Sequence, residues 1–230
     1  MMRKNATSEG VGAQMKWACV TAQLVPFFKA VCMYFALDVD APSAATAALK
    51  CAPIICLLGC VLFKAAFTAG EWGRYAWFVS LGLALSALGD VALVWPQMLA
   101  GGIILFGAAH ISYIAAFGLR PRRAGLGALA ALAAALYVRT LRPAALKPFT
   151  FLVHVYAALL AAMAWRGAAR PGPQRAGALL FALSDGLLGY SLFGGSLPYK
   201  NVLVMSTYYL GQLLIALSAL LPMEALRLAE

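Results

Sequence analysis

Residues 75–95, YAWFVSLGLALSALGDVALVW, form an apolar run that carries a single charge, Asp90. A transmembrane helix needs about 20 consecutive apolar residues to cross the hydrocarbon core of a bilayer. A carboxylate within such a run is costly in free energy, so it normally faces the interior of a helix bundle and marks a site. The stretch therefore predicts a membrane-spanning helix with one polar, inward-facing position.

The composition extends this prediction to the whole chain. Apolar residues make up 63% of the 230 residues, charged residues only 11%, and the mean hydropathy is +0.84. These values lie outside the range of soluble domains, and the connections between apolar runs are only a few residues long. The sequence predicts an all-α, polytopic membrane protein without a soluble domain.

Charges, prolines and glycines divide the chain into eight candidate spans. The predicted spans are residues 17–37, 45–66, 75–95, 98–118, 124–140, 148–165, 174–193 and 201–221. The fifth is short and alanine-rich, and the first contains Pro26 and Lys29. This gives an eight-helix transmembrane domain at 17–221 between short tails at 1–16 and 222–230.

The distribution of lysine and arginine predicts the orientation. With both tails and the loops after spans two, four and six on one side, that side carries 12 of these residues, and the other side carries 5. The positive-inside rule then places both tails in the cytosol. Residues 1–16 lack the apolar core of a cleaved secretory signal, so the first span is expected to remain as an anchor.

The net charge of +10 does not indicate nucleic acid, because the charges are scattered in twos and threes beside helix ends. Such charges orient the protein and attract the headgroups of anionic membrane lipids. The two histidines, His110 and His154, lie in different spans and without metal-ligand spacing. We therefore predict no nucleic-acid partner, no metal site and no cofactor.

A second intramembrane aspartate, Asp185, lies in FALSDGLLGY at residues 181–190, and the other six acidic residues fall in tails or loops. An offset of 95 aligns Asp90 with Asp185 and Tyr113 with Tyr208. This suggests two four-helix repeats that run in the same sense, with both carboxylates in the non-cytosolic half of the membrane and facing one cavity. The structural alternative is a hydrogen bond between helices, or a buried ion pair with Lys29.

Polar residues gather on the helix that follows each aspartate helix. His110 and Tyr113 share one face of span four, and Tyr208 and Gln212 share one face of span eight, beside Tyr209. A lone membrane histidine is also a common packing residue, and tyrosines near helix ends are often interface anchors. Their position after the aspartate helices favours a role in the same site.

Six sequence blocks carry a resemblance to a known family: FFKAVCMYFAL, LKCAPIICLL, LGDVALVWP, AAHISYIAAFG, GALLFALSDGLLGY and VMSTYYLGQLLIALSAL. In order and spacing they resemble the YhhN-like membrane family, most closely its animal lysoplasmalogenase branch. The resemblance covers about residues 24–221.

The resemblance implies an eight-span enzyme of the endoplasmic reticulum membrane. Its substrate would be a lysophospholipid, lysoplasmalogen, whose sn-1 vinyl ether is hydrolysed to a fatty aldehyde and glycerophosphoethanolamine or glycerophosphocholine. The family's two intramembrane aspartates map onto Asp90 and Asp185, and its histidine and paired tyrosines map onto His110, Tyr208 and Tyr209. Members often carry Lys-Pro in the first or second span, and FFKA and KCAP depart from this, so the resemblance assigns no role to Lys29 or Lys50.

The chemistry of a vinyl ether fits two carboxyl groups. Protonation of the β-carbon gives an oxocarbenium ion that water attacks, so the site needs a proton donor, a nearby negative charge and a base. Two buried carboxyls can divide these roles, one protonated and one ionised, as in glycosidases. The sequence leaves open which aspartate is the acid, and whether Lys50, Lys147 or a loop arginine meets the phosphate.

Three other classes remain open from the sequence. Repeated halves with a central charged pair would also suit a lipid or solute transporter, which turnover in detergent would distinguish from an enzyme. An intramembrane aspartyl protease fits less well, because the aspartates are four helices apart and no Pro-Ala-Leu motif follows; a non-catalytic regulator is the third. Glycines at 101, 102, 125 and 127 allow close helix contacts in either a monomer or a homodimer.

Overall fold

The computed structural model describes residues 20–37 and 41–221, which are helical without any strand, so the predicted tails at 1–16 and 222–230 lie outside the described residues. The helices are α1 (Val20–Ala36), α2 (Ala44–Ala66), α3 (Gly70–Ala92), α4 (Leu99–Phe117), α5 (Ala124–Val138), α6 (Pro143–Leu146), α7 (Thr150–Ala168), α8 (Pro173–Phe193) and α9 (Lys200–Leu220). Short 3₁₀ turns at Pro96–Met98 and Lys147–Phe149 precede α4 and α7.

The eight longer helices correspond to the eight predicted spans. Six of them, with their adjoining 3₁₀ turns, are long and apolar enough to cross a membrane, whereas α1 and α5 are shorter apolar helices. These two are also the helices in which the sequence departs most from a standard span. The prediction of an all-helical, multi-pass membrane protein is confirmed.

Three predicted helix boundaries differ from the structure by at least three residues: α3 ends at Ala92 and not at residue 95, and charged residues account for the other two. α3 begins before residue 75, because Glu71 and Arg74 lie in its exposed first turns, where their side chains are 3.6 Å apart. α7 continues past residue 165, because Arg166 is buried within it and not in a loop. The Arg166 guanidinium donates to the carbonyls of Gly118 (2.7 Å) and Pro121 (2.9 Å) just after α4, which stabilises the buried charge.

Six helices form a closed ring in which each contacts the next: α2, α3, α4, α7, α8, α9 and again α2. The order of neighbours is the same in the two halves, because α2–α3–α4 and α7–α8–α9 occupy equivalent positions. α5 packs on α7, and α1 lies beside α2 and α9, where the Cys60 thiol donates to the Gln23 carbonyl and the Tyr34 and Tyr209 rings are 5.5 Å apart. The ring agrees with the suggested repeat for three helices of each half, and the two four-helix repeats stay a prediction.

Helices α8 and α9 approach each other closely at two glycines. A Cβ on Gly211 would lie 2.9 Å from the Phe181 backbone nitrogen, and a Cβ on Gly177 would lie 2.8 Å from the Gly211 carbonyl oxygen. Backbone atoms on both sides leave no flexible group to move aside. Glycine at these positions brings α9 against α8 and so sets the position of the tyrosines that α9 carries.

We expect Gly211→Ala to destabilise the protein by about 2 kcal/mol, because the added methyl group overpacks a backbone contact. Thermal unfolding in detergent measures the effect. Gly125→Ala on α5 is the matched control, since nothing lies within 4 Å of its added Cβ. Equal unfolding temperatures for the two variants would contradict the packing role of Gly211.

Candidate active site

Asp90 lies at the end of α3 in the buried core and is 2% exposed. Its Oδ1 is 3.5 Å from Lys50 Nζ on α2, and its Oδ2 accepts a hydrogen bond of 2.6 Å from the Tyr208 hydroxyl on α9. The antiparallel α2–α3 hairpin brings the start of one helix beside the end of the other. Both carboxylate oxygens therefore have a partner that stabilises negative charge.

Asp185, on α8, has a separate set of partners. Its Oδ2 accepts a short hydrogen bond from the Tyr156 hydroxyl on α7 and lies 3.2 Å from His110 Nε2 on α4. His110 Nε2 is also 3.0 Å from the Tyr156 hydroxyl, so the three side chains contact one another. Three helices thus converge on one oxygen of Asp185, while Oδ1 takes part in none of the hydrogen bonds found among the described residues.

The surroundings of His110 indicate its tautomer. The ring is fully buried, and Nδ1 has no hydrogen-bond partner among the described residues. An unpaired, buried N–H would cost more than an unpaired lone pair, because the donor would lose its hydrogen bond to water. We therefore assign the proton of neutral His110 to Nε2, from which it is donated to Asp185.

Aromatic rings separate the two aspartate clusters. Phe181 contacts both sides, with ring centroids 5.1 Å from His110 and 5.5 Å from Tyr208, and Phe106 lies 6.0 Å from Tyr208. No hydrogen bond between described residues joins Asp90 to Asp185. The two carboxylates thus belong to adjoining clusters with one aromatic layer between them.

An apolar cavity of about 750 Å³ lies among α4, α5, α7 and α8, and Asp185 lines it. The wall is formed mainly by leucines, alanines and aromatic rings, and its other polar groups belong to Tyr137, Thr140, Tyr156, Trp165 and Tyr190. Pockets for small organic ligands typically measure about 300–1,000 Å³. Asp90 and its partners Lys50 and Tyr208 do not line this cavity, so Asp185 is the carboxylate that a bound apolar molecule would meet.

The remaining predicted site residues have defined places. The Tyr113 hydroxyl donates to Gln212 Oε1 at 2.7 Å in the core, and the Tyr209 hydroxyl donates to the Lys50 carbonyl at 2.9 Å. Lys29 lies on the exposed face of α1, so the ion pair of Asp90 is with Lys50 and not with Lys29. Of these residues, Lys50 is the one that contacts a carboxylate directly.

Two tyrosines of the site were missed in the sequence. Tyr156 bonds Asp185, and the Tyr137 hydroxyl on α5 donates to the Gly186 carbonyl at 2.7 Å, next to Asp185. Gly189 makes room for Tyr137, because a Cβ there would lie 2.6 Å from the tyrosine oxygen. The position of Tyr156 in the sequence could have indicated its role. It lies near the middle of its predicted span, away from the ends where interfacial tyrosines are found.

Two of the four glycines that suggested close helix contacts lie against side chains of the same chain. A Cβ on Gly102 would lie 2.4 Å from a Leu93 methyl carbon, and a Cβ on Gly127 would lie 2.8 Å from the Trp165 ring. These two glycines therefore serve packing inside one chain. Gly101 and Gly125 have open space beside them, with at most a distant contact.

The fold and site define a class of protein: a multi-pass helical membrane protein with a largely buried carboxylate in the wall of a mostly apolar cavity. The chain belongs to the YhhN family, which matches residues 45–219, and the resemblance seen in the sequence blocks is thereby confirmed. No solved structure matches it.

Curated relatives are similar over most of their length. Lysoplasmalogenase TMEM86B of Rattus norvegicus is 39% identical over 208 residues, which cover 90% of this chain and 87% of the relative. Lysoplasmalogenase TMEM86B of Homo sapiens is 38% identical over 86% of both chains. Lysoplasmalogenase TMEM86A of Homo sapiens is 36% identical, covering 90% of this chain and 94% of the relative.

Proposed function

We propose that this chain is a lysoplasmalogenase, a membrane hydrolase that cleaves the sn-1 vinyl ether of a lysoplasmalogen at Asp185. The observation that carries the proposal is a carboxylate, held by Tyr156 and His110, in the wall of an otherwise apolar cavity. The relatives named lysoplasmalogenase support the same reaction. A lysophospholipid with one long apolar chain suits this cavity.

In this mechanism Asp185 acts first as an acid. Its carboxyl group delivers a proton to the β-carbon of the vinyl ether, and the ether oxygen and α-carbon become an oxocarbenium ion. The resulting carboxylate stabilises the cation and then accepts a proton from the water that attacks the α-carbon. One carboxyl changes from acid to base in the same way in retaining glycosidases, where a second carboxyl meets the cationic carbon. The hemiacetal collapses to a fatty aldehyde and the glycerol hydroxyl, so one water is consumed.

Tyr156 and His110 position this carboxyl group. Both hold Oδ2, which leaves Oδ1 as the oxygen directed at substrate and fixes the orientation of the group. As the charge on Asp185 develops, the two donors stabilise it without any rearrangement.

Asp90 has a different role in this proposal. Lys50 and Tyr208 hold it as a carboxylate away from the cavity, so we assign it as a positioning residue that fixes α9 against α2 and α3. The rings of Phe106 and Phe181 lie between the Asp90 cluster and the Asp185 cluster. The shared acid–base dyad expected from the sequence stays a prediction, which a comparison of Asp90→Asn with Asp185→Asn tests.

The phosphate is assigned to the end of the cavity nearest Phe193. Arg142 lies there on an exposed loop, where its backbone N–H donates to the Phe193 carbonyl at 2.8 Å, and the adjoining Leu141 lines the cavity. Phe193 is eight residues beyond Asp185 on α8, or about 12 Å. A glycerol phosphate and an extended arginine side chain together bridge this distance.

We expect Arg142→Gln to raise KM about tenfold with little change in kcat, because the phosphate contact is remote from the reacting bond. Steady-state kinetics with a 1-alkenyl lysophospholipid measures both constants. Lys200→Gln is the control, because Lys200 is an exposed cation at the start of α9, a helix that contributes no residue to the cavity wall. An unchanged KM for Arg142→Gln would remove Arg142 from the headgroup site.

The cellular setting belongs to the same proposal. The apolar runs support eight spans, and the excess of lysine and arginine on one side supports both termini in the cytosol. Residence in the endoplasmic reticulum membrane is what the family resemblance implies. The glycines allow either a monomer or a homodimer, and the choice between them stays untested.

The function is tested by aldehyde release from purified protein in detergent, with a 1-alkenyl lysophospholipid and, in parallel, its 1-acyl counterpart. We expect aldehyde from the first and no hydrolysis of the second, without any sealed compartment. Binding of the 1-alkenyl lipid without aldehyde release would overturn the proposal and favour a transporter.

A further inference from the structure

The wall at one end of the cavity includes Trp165, whose ring is held in place from several sides. The Trp165 Nε1 donates to the Arg123 carbonyl at 3.1 Å, and the Arg166 guanidinium lies 5.1 Å from the ring centroid. On α5, Gly127 lies so close that a Cβ there would be 2.8 Å from the ring. The ring thus forms a fixed part of the cavity floor, where α5 begins and α7 ends, together with Ala168 one turn further along α7.

The distance from Asp185 to this floor follows from the helices on both sides. Tyr156 and Tyr137 mark the level of Asp185, because both bond it or the adjoining Gly186. Trp165 lies nine residues beyond Tyr156, and Leu126 lies eleven residues before Tyr137, which at 1.5 Å per residue correspond to about 14 and 17 Å.

This depth can be expressed as a chain length. An extended chain advances about 1.2 Å per bond, since three backbone bonds of a polypeptide span at most about 3.6 Å. The cavity beyond Asp185 therefore holds about 12 to 14 carbon–carbon bonds. Its walls there are largely alanine, including Ala130, Ala161 and Ala164, so the space depends on the small size of these side chains.

We infer that the distance between Asp185 and Trp165 selects the length of the alkenyl chain, with about 14 to 16 carbons as the optimum. The inference rests on the proposed function and adds a specificity-determining residue to it. With the reacting double bond at Asp185, the terminal methyl of such a chain meets the Trp165 ring. Longer chains must bend outward between α5 and α8, past the exposed Leu129 and Leu183.

The test is competition between 1-alkenyl lysophospholipids of 12, 16 and 20 carbons in mixed micelles, with each variant compared with wild type. Ratios of kcat/KM between chain lengths are compared across variants, so that the partitioning of each lipid into the micelle cancels. Ala130→Leu fills the end of the cavity near Trp165, one helical turn from Leu126. We expect the preference for 12 over 16 carbons to rise at least tenfold. Trp165→Ala removes the floor, and we expect the preference for 20 over 16 carbons to rise at least fivefold.

Ala131→Leu is the matched control, because Ala131 is the next residue on α5, is exposed and does not line the cavity. It should leave all ratios within twofold of wild type. If Trp165→Ala does not fold, Trp165→Leu replaces it, and we expect a smaller shift of the ratios in the same direction. Unchanged ratios in Ala130→Leu and in a folded Trp165 variant, with aldehyde still released, would overturn the inference and leave the proposed function standing.

A binding measurement keeps the two proposals separable. Saturated 1-alkyl ether lysophospholipids of 12 to 20 carbons have no vinyl ether to cleave, and their thermal stabilisation of the protein reports chain fit alone. We expect the same optimum and the same shift in Ala130→Leu. If neither wild type nor any variant releases aldehyde, the proposed function fails. An absence of any optimal chain length in the binding series would overturn the chain-length inference by itself.

Discussion

Asp185→Asn is expected to lower kcat about a thousandfold, within the range by which general acid–base groups contribute to catalysis. The amide has the shape of the carboxyl group and still accepts a hydrogen bond from Tyr156, so the fold should be kept. It has no proton to deliver to the β-carbon at a useful rate, and it cannot stabilise the oxocarbenium ion as an anion. Aldehyde release under saturating substrate measures the loss.

Two controls separate chemistry from folding in this variant. The unfolding temperature of Asp185→Asn should stay close to that of wild type, and binding of a 1-alkyl ether lysophospholipid should be unchanged. Asp185→Glu, which retains the acid but moves it by one methylene, should recover part of the rate. A folded Asp185→Asn protein with more than a tenth of wild-type kcat would show that Asp185 is not the proton donor.

The largest effect on stability is expected at the ion pair between Lys50 and Asp90. The two side chains are mostly buried, 16% and 3% exposed, with 3.5 Å between Nζ and Oδ1. Removing one partner leaves the other charge unpaired in the bundle, which costs about 3 kcal/mol in comparable buried pairs. We therefore expect Lys50→Met and Asp90→Asn each to lower the unfolding temperature by several degrees.

The double variant distinguishes a structural pair from a catalytic one. Because it leaves no charge behind, Lys50→Met with Asp90→Asn should be more stable than the sum of the single changes implies. Its kcat should fall much less than that of Asp185→Asn. If Asp90→Asn is stable but loses activity a thousandfold, the two aspartates act as one dyad, and the positioning role of Asp90 is wrong.

The sequence was sufficient to predict the helices, because a span in a membrane is set by the length and apolarity of one segment. It also singled out the residues that bond the aspartates from α4 and α9, His110 and Tyr208, because polar side chains are rare in such helices. The partners on α2 and α7 were harder to predict. Lys29 was the cation named in the structural alternative, since it lies well inside its span, but the antiparallel α2–α3 hairpin brings Lys50 to Asp90.

Tyr156 and the cavity could not be predicted from the sequence for a physical reason. Which face of α7 meets α8 depends on helix rotation, and a span of alanine and leucine has little polar asymmetry to indicate it. The cavity likewise depends on where α5 lies relative to α8, and α5 has no buried residue that would reveal a packed face. The separation of Asp90 from Asp185 by Phe106 and Phe181 is also a property of the packed bundle.

The most direct test of vinyl ether hydrolysis at Asp185 is the reaction of purified wild type with a 1-alkenyl lysophospholipid in ²H₂O. The aldehyde is reduced to the alcohol as it forms, before exchange, and analysed by mass spectrometry. Proton transfer from a solvent-exchanged Asp185 to the β-carbon predicts one deuterium on carbon 2 of the product, formed by wild type and almost absent with Asp185→Asn. An absence of aldehyde, or aldehyde without deuterium on carbon 2, would contradict this mechanism.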